Sequence, residues 1–271
     1  MGAAIHRSLP SVAALKRCSC NGIPFYRFRQ LAECEAAGHA IFTRLGGVSP
    51  PPFDSLNVGY NTGDKAANVR QNLARITMVT GSSRLLFSRQ VHGSNIMIVN
   101  MSPQIDPELP SPYHGYDGFI CPLPNVVLLV KIADCQAVLL FDRQQRVAAL
   151  LHVGWRGNVD NIAAKAVHLM VHHYHSRPQE ILAAIGPSLG PCCAEFRQWR
   201  DYFPGHFREF ETEENHFDLW ALSRQQLLDA GLVAEHIEIA GLCTKCHTDI
   251  FFSYRGEGET GRFAAALWTC G

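Results

Sequence analysis

The sequence predicts an α+β fold, a single domain with a large mixed β-sheet, or sheets, flanked by helices. Three observations predict it. Apolar, strand-like segments arrive in runs with few helices between them, without the regular strand–helix alternation of Rossmann or TIM-barrel chains. Hydrophobic residues make up 47% of the 271, enough for a substantial core. No GKS/GKT phosphate loop occurs, and no internal repeat is evident.

The elements follow in order. Residues 1–22 read as a leader segment of uncertain order, and residues 23–271 as the domain. Residues 23–29 read as a first strand, 31–37 as a short helix closed by Gly38, and 39–43 as a strand that delivers Arg44 into a loop dense in Gly and Pro. Asp64 is placed to cap a helix whose apolar positions Val69, Leu73, Ile76 and Val79 recur at helical spacing up to Gly81. Residues 85–89 and 95–99 read as strands around Gln90-Val91-His92-Gly93, so His92 lies at a break where a side chain can be re-aimed. Pro and Ser dominate residues 100–114, a long exposed loop able to cover a site.

Residues 126–157 organise the chain. They comprise two apolar strands around Cys135, a polar turn, and a third strand delivering His152 into Gly154-Trp155-Arg156-Gly157. A hairpin return would bring Cys135 and His152 to the same end of neighbouring strands. Asn158 then reads as the cap of a helix through Ile162, Ala166, Leu169 and Met170. That helix ends in His172, His173 and His175, where imidazoles favour the negative end of the helix dipole and a surface role. Residues 181–185 form a further strand, Asp218 caps a helix through Leu222, Leu227 and Leu228 that stops at Gly231, and residues 250–268 read as strand, Arg255-containing loop and final strand.

Composition narrows the partners. The 24 basic and 24 acidic residues cancel, without the like-charged runs of a nucleic-acid arm or a polybasic membrane anchor. No apolar run approaches the roughly 18 residues needed to span a bilayer, and the N-terminal segment lacks the apolar core of a secretory signal. A cytoplasmic protein acting on small molecules, monomer or homodimer, is the expectation. Ten cysteines in a chain able to bury its own core read as reduced thiols. Cys243-Thr-Lys-Cys246-His247 resembles a haem-attachment string, but without an export signal haem is not expected. It is also half a zinc knuckle whose matching second CxxC is absent, so Cys192, Cys193, Cys243 and Cys246 receive no site role.

His92, Cys135 and His152 together make the three-ligand set of a catalytic zinc with its fourth position open. A metal there lowers the pKa of bound water toward about 7. The same atoms also suit a second chemistry, in which Cys135 is a nucleophile activated by His152, and a third reading leaves them as core. Asp134 must find a partner in an apolar stretch and is placed to orient a ligand or exchange a proton. Arg44, Arg156 and Arg255 are candidates for anion binding, since a guanidinium matches phosphate geometry. Asn57 and Asn61 read as turn formers.

Beyond spacing, the ordered set Thr43-Arg-Leu-Gly-Gly-Val-Ser, Ser55-Leu-Asn-Val-Gly, Gln90-Val-His-Gly, Ala133-Asp-Cys, His152-Val-Gly-Trp-Arg-Gly, Ile185-Gly-Pro-Ser, Phe217-Asp-Leu-Trp, Cys243-Thr and Phe251-Phe-Ser-Tyr-Arg resembles the YfiH family, also called the laccase-domain or multicopper polyphenol oxidase family. The resemblance extends from about Gly38 over nearly the whole chain. It implies an α+β fold similar to the cytotoxic necrotizing factor deamidases, with one zinc held by His92, Cys135 and His152. It also implies phosphorolysis of adenosine, inosine, guanosine and methylthioadenosine, with adenosine deamination at the same site. Arg44 would then be the phosphate or substrate clamp, with Arg156 and Arg255 as further contacts. Copper-dependent phenol oxidation, implied by the older family name, is less favoured because a multicopper site needs many more histidines. Two departures adjoin the ligands: Gln136-Ala137 where the family pattern has a Val-Pro type pair, and Val153 where Ala is usual.

Overall fold

A two-residue turn opens the described fold. In the computed structural model, which describes residues 13–101 and 113–271, Asn21 and Gly22 both take positive φ (49° and 75°) and join β1 (Leu15–Cys20) to β2 (Ile23–Phe28) as an antiparallel pair. Asn-Gly is the residue pair such a turn demands. Strand pairing therefore begins inside the segment expected as a leader; its first twelve residues lie outside the described residues, as does most of the expected loop 100–114.

The chain continues through α1 (Arg29–Glu33), β3 (Ala37–Phe42), α2 (Ala66–Thr80), β4 (Leu85–Leu86), β5 (Ile96–Ile98), β6 (Gly118–Cys121) and β7 (Val127–Ile132). Then come β8 (Gln136–Asp142), β9 (Val147–Val153), α3 (Trp155–Val159), α4 (Ile162–Tyr174), β10 (Ile181–Ile185), β11 (Glu211–Glu213) and β12 (His216–Phe217). The last elements are α5 (Leu219–Asp229), β13 (Ile237–Ile239), α6 (Tyr254–Glu257) and β14 (Phe263–Thr269).

Two six-stranded sheets result, ordered β1-β2-β3-β14-β7-β4 and β13-β10-β8-β9-β6-β5. Most neighbours are antiparallel, while β4–β7, β5–β6 and β10–β13 are parallel, so both sheets are mixed. The sheets face each other across one core. Leu128, Val130, Phe263 and Ala265 of the first sheet meet Leu139, Phe141, Ala148 and Leu150 of the second. Alternate residues on the same strands point outward: Val127 and Leu129 pack under Val69, Leu73 and Ile76 of α2, and Leu140 and Ala149 under Ile162, Ala166 and Met170 of α4. With both faces covered, these strands read as continuous apolar runs rather than alternating ones. The α+β expectation of large mixed sheets flanked by helices holds, in four layers.

Several boundaries differ from expectation for local reasons. The short helix spans Arg29–Glu33 because residues 37–41 are taken into pairing with β14. The cap of α4 is Asn161, whose side chain accepts from the Ala164 amide at 3.1 Å, while Asn158 falls inside the separate helix α3. Asp218 caps α5 as expected, accepting from the Ala221 amide at 2.9 Å. Ile250, Phe251 and Phe252 form no strand; they fill the inter-sheet core from a turn, and Ser253 then caps α6.

Candidate metal centre

The chain changes sheets at residues 133–135. β7 belongs to the first sheet and β8 to the second, so Cys135 sits at the crossing, directly before a strand paired with β9 in a register that sets Ala137 opposite His152. The expected hairpin return is real. Asp134, at φ 88°, turns the chain. This unfavourable conformation for a non-glycine residue is held from several sides. Its Oδ1 accepts from Thr244 Oγ1 (2.6 Å) and Ser253 Oγ (2.7 Å), its Oδ2 from the Arg255 amide (2.6 Å), and its carbonyl from the Leu189 amide (2.9 Å). Asp134 is thus engaged in fixing the turn that presents Cys135.

His92, also in a left-handed conformation (φ 59°), comes from the turn before β5. One ligand atom each from His92, Cys135 and His152 lies within 4.8 Å of the others. The two imidazole rings meet edge to face with centroids 4.9 Å apart. Gly154 makes room, since a Cβ there would stand 3.2 Å from Cys135 Sγ and 3.3 Å from the His92 ring.

Asp117 organises the cluster. This fully buried carboxylate accepts from the amides of Val91 (3.2 Å), His92 (3.0 Å) and Gly93 (2.8 Å), and from His152 Nδ1 at 2.8 Å. One side chain therefore shapes the turn carrying one imidazole and fixes the tautomer of the other, leaving His152 Nε2 for the cluster. Burial opposes its ionisation, yet the His152 and amide hydrogen bonds outweigh that and hold it below the usual carboxylate range. Burial likewise opposes charge on Cys135 and His152. The interactions of Cys135 with His152 and then His92 nevertheless bring the thiol down to about 6, and Cys135 and Asp117 push His152 up to about 9. A thiolate beside two histidines, of which His152 gives up its proton on ligation, is the donor set a zinc ion takes, and the residues present fit the metal.

The cluster opens into a cavity of about 600 Å³, within the range of small-molecule sites. Arg156 and Arg255 line it. Arg44 does not. Its guanidinium donates to the carbonyls of Asp54 (2.7 Å) and Thr248 (2.6 Å), pairs with Asp54 and Glu257, and lies 4.5 Å from the centre of the Phe252 ring. With these donors spent and only 7% of the residue exposed, Arg44 braces the segment from Thr248 to Glu257, α6 included, against the loop at Asp54. Lys131 and Arg262, not singled out from sequence, reach the cavity instead. Neither forms a salt bridge among the described residues. Burial and the nearby Arg262 charge bring Lys131 down to about 8, and burial also lowers Arg262. Asn57 Oδ1 accepts the Arg262 amide at 2.9 Å, so the expected turn former also positions this arginine. Trp155, Tyr60 and Tyr254 supply aromatic surface to the same cavity.

Asp117 and the Lys131–Arg262 pair were missed because their partners are remote in sequence. A signal was present for Asp117, a carboxylate entering the apolar run Gly118-Phe-Ile-Cys, where it must be satisfied on burial. The departure at Gln136 leaves the cluster intact: its amide donates to the Leu219 carbonyl at 2.7 Å and bonds Ser223, tying β8 to α5.

Fold and site together define a two-sheet α+β protein with a His–Cys–His metal-ligand set at the floor of a cationic, aromatic cavity. The family described as "Multi-copper polyphenol oxidoreductase laccase" matches residues 38–270, and the chain belongs to it. A relative from Geobacillus stearothermophilus, named purine nucleoside phosphorylase YlmD, is 32% identical over 249 residues that cover 84% of this chain and 88% of the relative. The Escherichia coli protein named purine nucleoside phosphorylase YfiH is 32% identical over 235 residues, covering 83% and 91%. The crystal structure of the G. stearothermophilus YlmD superposes with a TM-score of 0.85 at 30% identity, covering 95% of this chain and 99% of that one. A Bacillus licheniformis structure described as hypothetical protein YfiH also gives 0.85, at 25% identity.

Proposed function

We propose that this chain is a zinc-dependent purine nucleoside phosphorylase that converts adenosine, inosine and guanosine to base and ribose 1-phosphate, and methylthioadenosine to adenine and 5-methylthioribose 1-phosphate, and deaminates adenosine at the same site. One observation carries the reading. The His92–Cys135–His152 cluster faces a cavity that also contains two half-buried cations without ion-pair partners among the described residues, Lys131 and Arg262, and an aromatic wall. The relatives named as purine nucleoside phosphorylases support it.

Phosphorolysis requires a phosphate oxygen to bond ribose C1′ as the glycosidic C–N bond breaks, with the electron pair leaving on the purine. Lys131 and Arg262 would hold the phosphate dianion, with Arg156 and Arg255 nearer the rim, and Trp155 and the tyrosines would stack the base. Zinc held by His92, Cys135 and His152 would supply Lewis acidity and water activation, which deamination needs at the purine C6. Asp117 keeps His152 in the ligating tautomer, and Asp134 keeps Cys135 at the cavity floor.

The Cys135–His152–Asp117 chain also has the connectivity of a thiol hydrolase, in which zinc would be dispensable. One assay separates the readings. Protein is incubated with adenosine, with and without phosphate and chelator, and adenine, inosine and hypoxanthine are followed by chromatography. Phosphate-dependent adenine and chelator-sensitive inosine are expected. Undiminished turnover in His92→Ala would sink the proposed site, and activity in metal-free protein that alkylation of Cys135 abolishes would favour the hydrolase.

A further inference from the structure

The half-knuckle Cys243-Thr-Lys-Cys246 lacks a second CxxC in the sequence, but the fold supplies its other half. After β10 the chain runs past Ser188 into the adjacent pair Cys192-Cys193. After β13 it runs through Leu242 into Cys243. The two segments are laid side by side by the Ser188 amide donating to the Leu242 carbonyl (3.2 Å) and the Thr244 amide to the Ser188 carbonyl (3.0 Å).

The result is a second cluster of donor atoms, in which the four sulfurs of Cys192, Cys193, Cys243 and Cys246 all lie within 4.8 Å of one another. Cys246 Sγ is 3.6 Å from Cys192 Sγ and 3.7 Å from Cys193 Sγ. Zinc bound to four thiolates at about 2.3 Å has sulfur–sulfur edges of about 3.8 Å, so closure requires shifts of no more than about 1 Å. A disulfide needs its sulfurs at about 2.05 Å, and all four cysteines are free. Backbone amides of Gly190 and Cys246 donate to Cys243 Sγ, the pattern of hydrogen bonding that stabilises a metal-bound thiolate. Four sulfur donors leave no open position, the mark of a structural site, and tetrahedral sulfur selects zinc among the common divalent ions.

We propose that Cys192, Cys193, Cys243 and Cys246 bind one structural zinc, separate from the His92–Cys135–His152 centre. The ion clamps the loop after β10 to the loop after β13. Both loops help to hold Asp134, through the Leu189 amide and Thr244 Oγ1, and so the ion stiffens the wall behind Cys135. Binding displaces the thiol protons to solvent, and Lys245 stands between Cys243 and Cys246 in the sequence of the knuckle turn.

The test is metal content of the full chain, purified without chelator and measured by elemental mass spectrometry. Two zinc ions per chain are expected for the wild type. One should remain in a His92→Ala/Cys135→Ala variant and one in a Cys192→Ser/Cys246→Ser variant, the latter with a lowered melting temperature. If the His–Cys–His centre binds no zinc, the wild type holds one ion that only the serine variant loses, so failure of that centre and of this one read differently. Should the serine variant not fold, cobalt-substituted wild type provides the readout, through the sulfur-to-cobalt charge-transfer band of a tetrathiolate. Wild-type zinc content in the serine variant, a zinc-free His92→Ala/Cys135→Ala protein that is folded, or a native disulfide within the cluster would overturn the proposal.

Discussion

Asp117 Oδ1 lies 2.8 Å from His152 Nδ1 while the same carboxylate receives the His92 amide at 3.0 Å, so one buried anion sets the geometry of both imidazoles at the candidate metal centre. Loss of such a ligand-orienting partner typically weakens metal affinity by about 10–100-fold. Asp117→Asn is expected to weaken zinc binding in that range, measured by competition with a chromophoric chelator. An unchanged affinity would mean that the carboxylate serves the fold alone.

The thiolate character of Cys135 has a pH signature once metal is removed. Its folded pKa is depressed from 9 to about 6, so the reactive thiolate exists above about pH 6 and is lost only below it. Iodoacetamide should therefore label Cys135 in chelated protein with a rate half-maximal near pH 6, where an ordinary thiol would show its midpoint near 9. Zinc should protect it. A midpoint near 9 would contradict the coupling to His152 and His92.

Lys131 and Arg262 are expected to bind phosphate. Replacing either by Met should raise the KM for phosphate by about tenfold or more, with a much smaller effect on the KM for nucleoside. Lys131 is charged below about pH 8 and neutral above it, so phosphate affinity of the wild type should fall as pH rises through that value. Steady-state kinetics at varied phosphate and pH read both, and equal effects on the two substrates would point to a structural role.

Arg44 should behave differently. Loss of a charge-assisted hydrogen bond costs about 1.5–3 kcal/mol. Arg44→Ala strips Glu257 and the Thr248 carbonyl of their donor, so a melting temperature lower by roughly 10 °C is expected. A variant as stable as the wild type would argue that the guanidinium is available for ligand after all.

His39 gives the fold an acid-sensitive point. Burial, and then the Arg27 charge, hold its pKa at about 3, and Nε2 accepts the Phe28 amide at 2.7 Å, a role only the neutral ring can fill. Because the folded pKa lies below the ordinary 6.5, protonation favours the unfolded chain. Its contribution is full above pH 6.5 and is lost at up to about 1.4 kcal/mol per pH unit as pH falls toward 3. Urea titrations of wild type and His39→Asn between pH 7 and 4 should differ in slope, and parallel curves would refute this.

The sequence by itself determined the fold class and the three metal-ligand candidates, because both are written in local pattern. Apolar runs without strand–helix alternation imply mixed sheets. A Cys and a His flanking a hairpin, with another His in a glycine turn, are donor types at recognisable breaks. Even the missed β1 was legible in Asn21-Gly22.

Only the tertiary structure decided which charges reach the cavity. Arg44 follows a strand into a glycine-rich loop much as Arg156 does, yet the approach of Glu257 and the Thr248 carbonyl, over 200 positions away, turns it into a brace. Lys131 and Arg262 look ordinary until β7 and β14 are paired and bring them to the same end of one sheet. The pairing of Asp117 with His152, and of Cys192-Cys193 with Cys243 and Cys246, likewise depends on which sheet each strand joins. Spacing along the chain carries donor chemistry, whereas proximity between distant donors exists only once the sheets have closed over their common core.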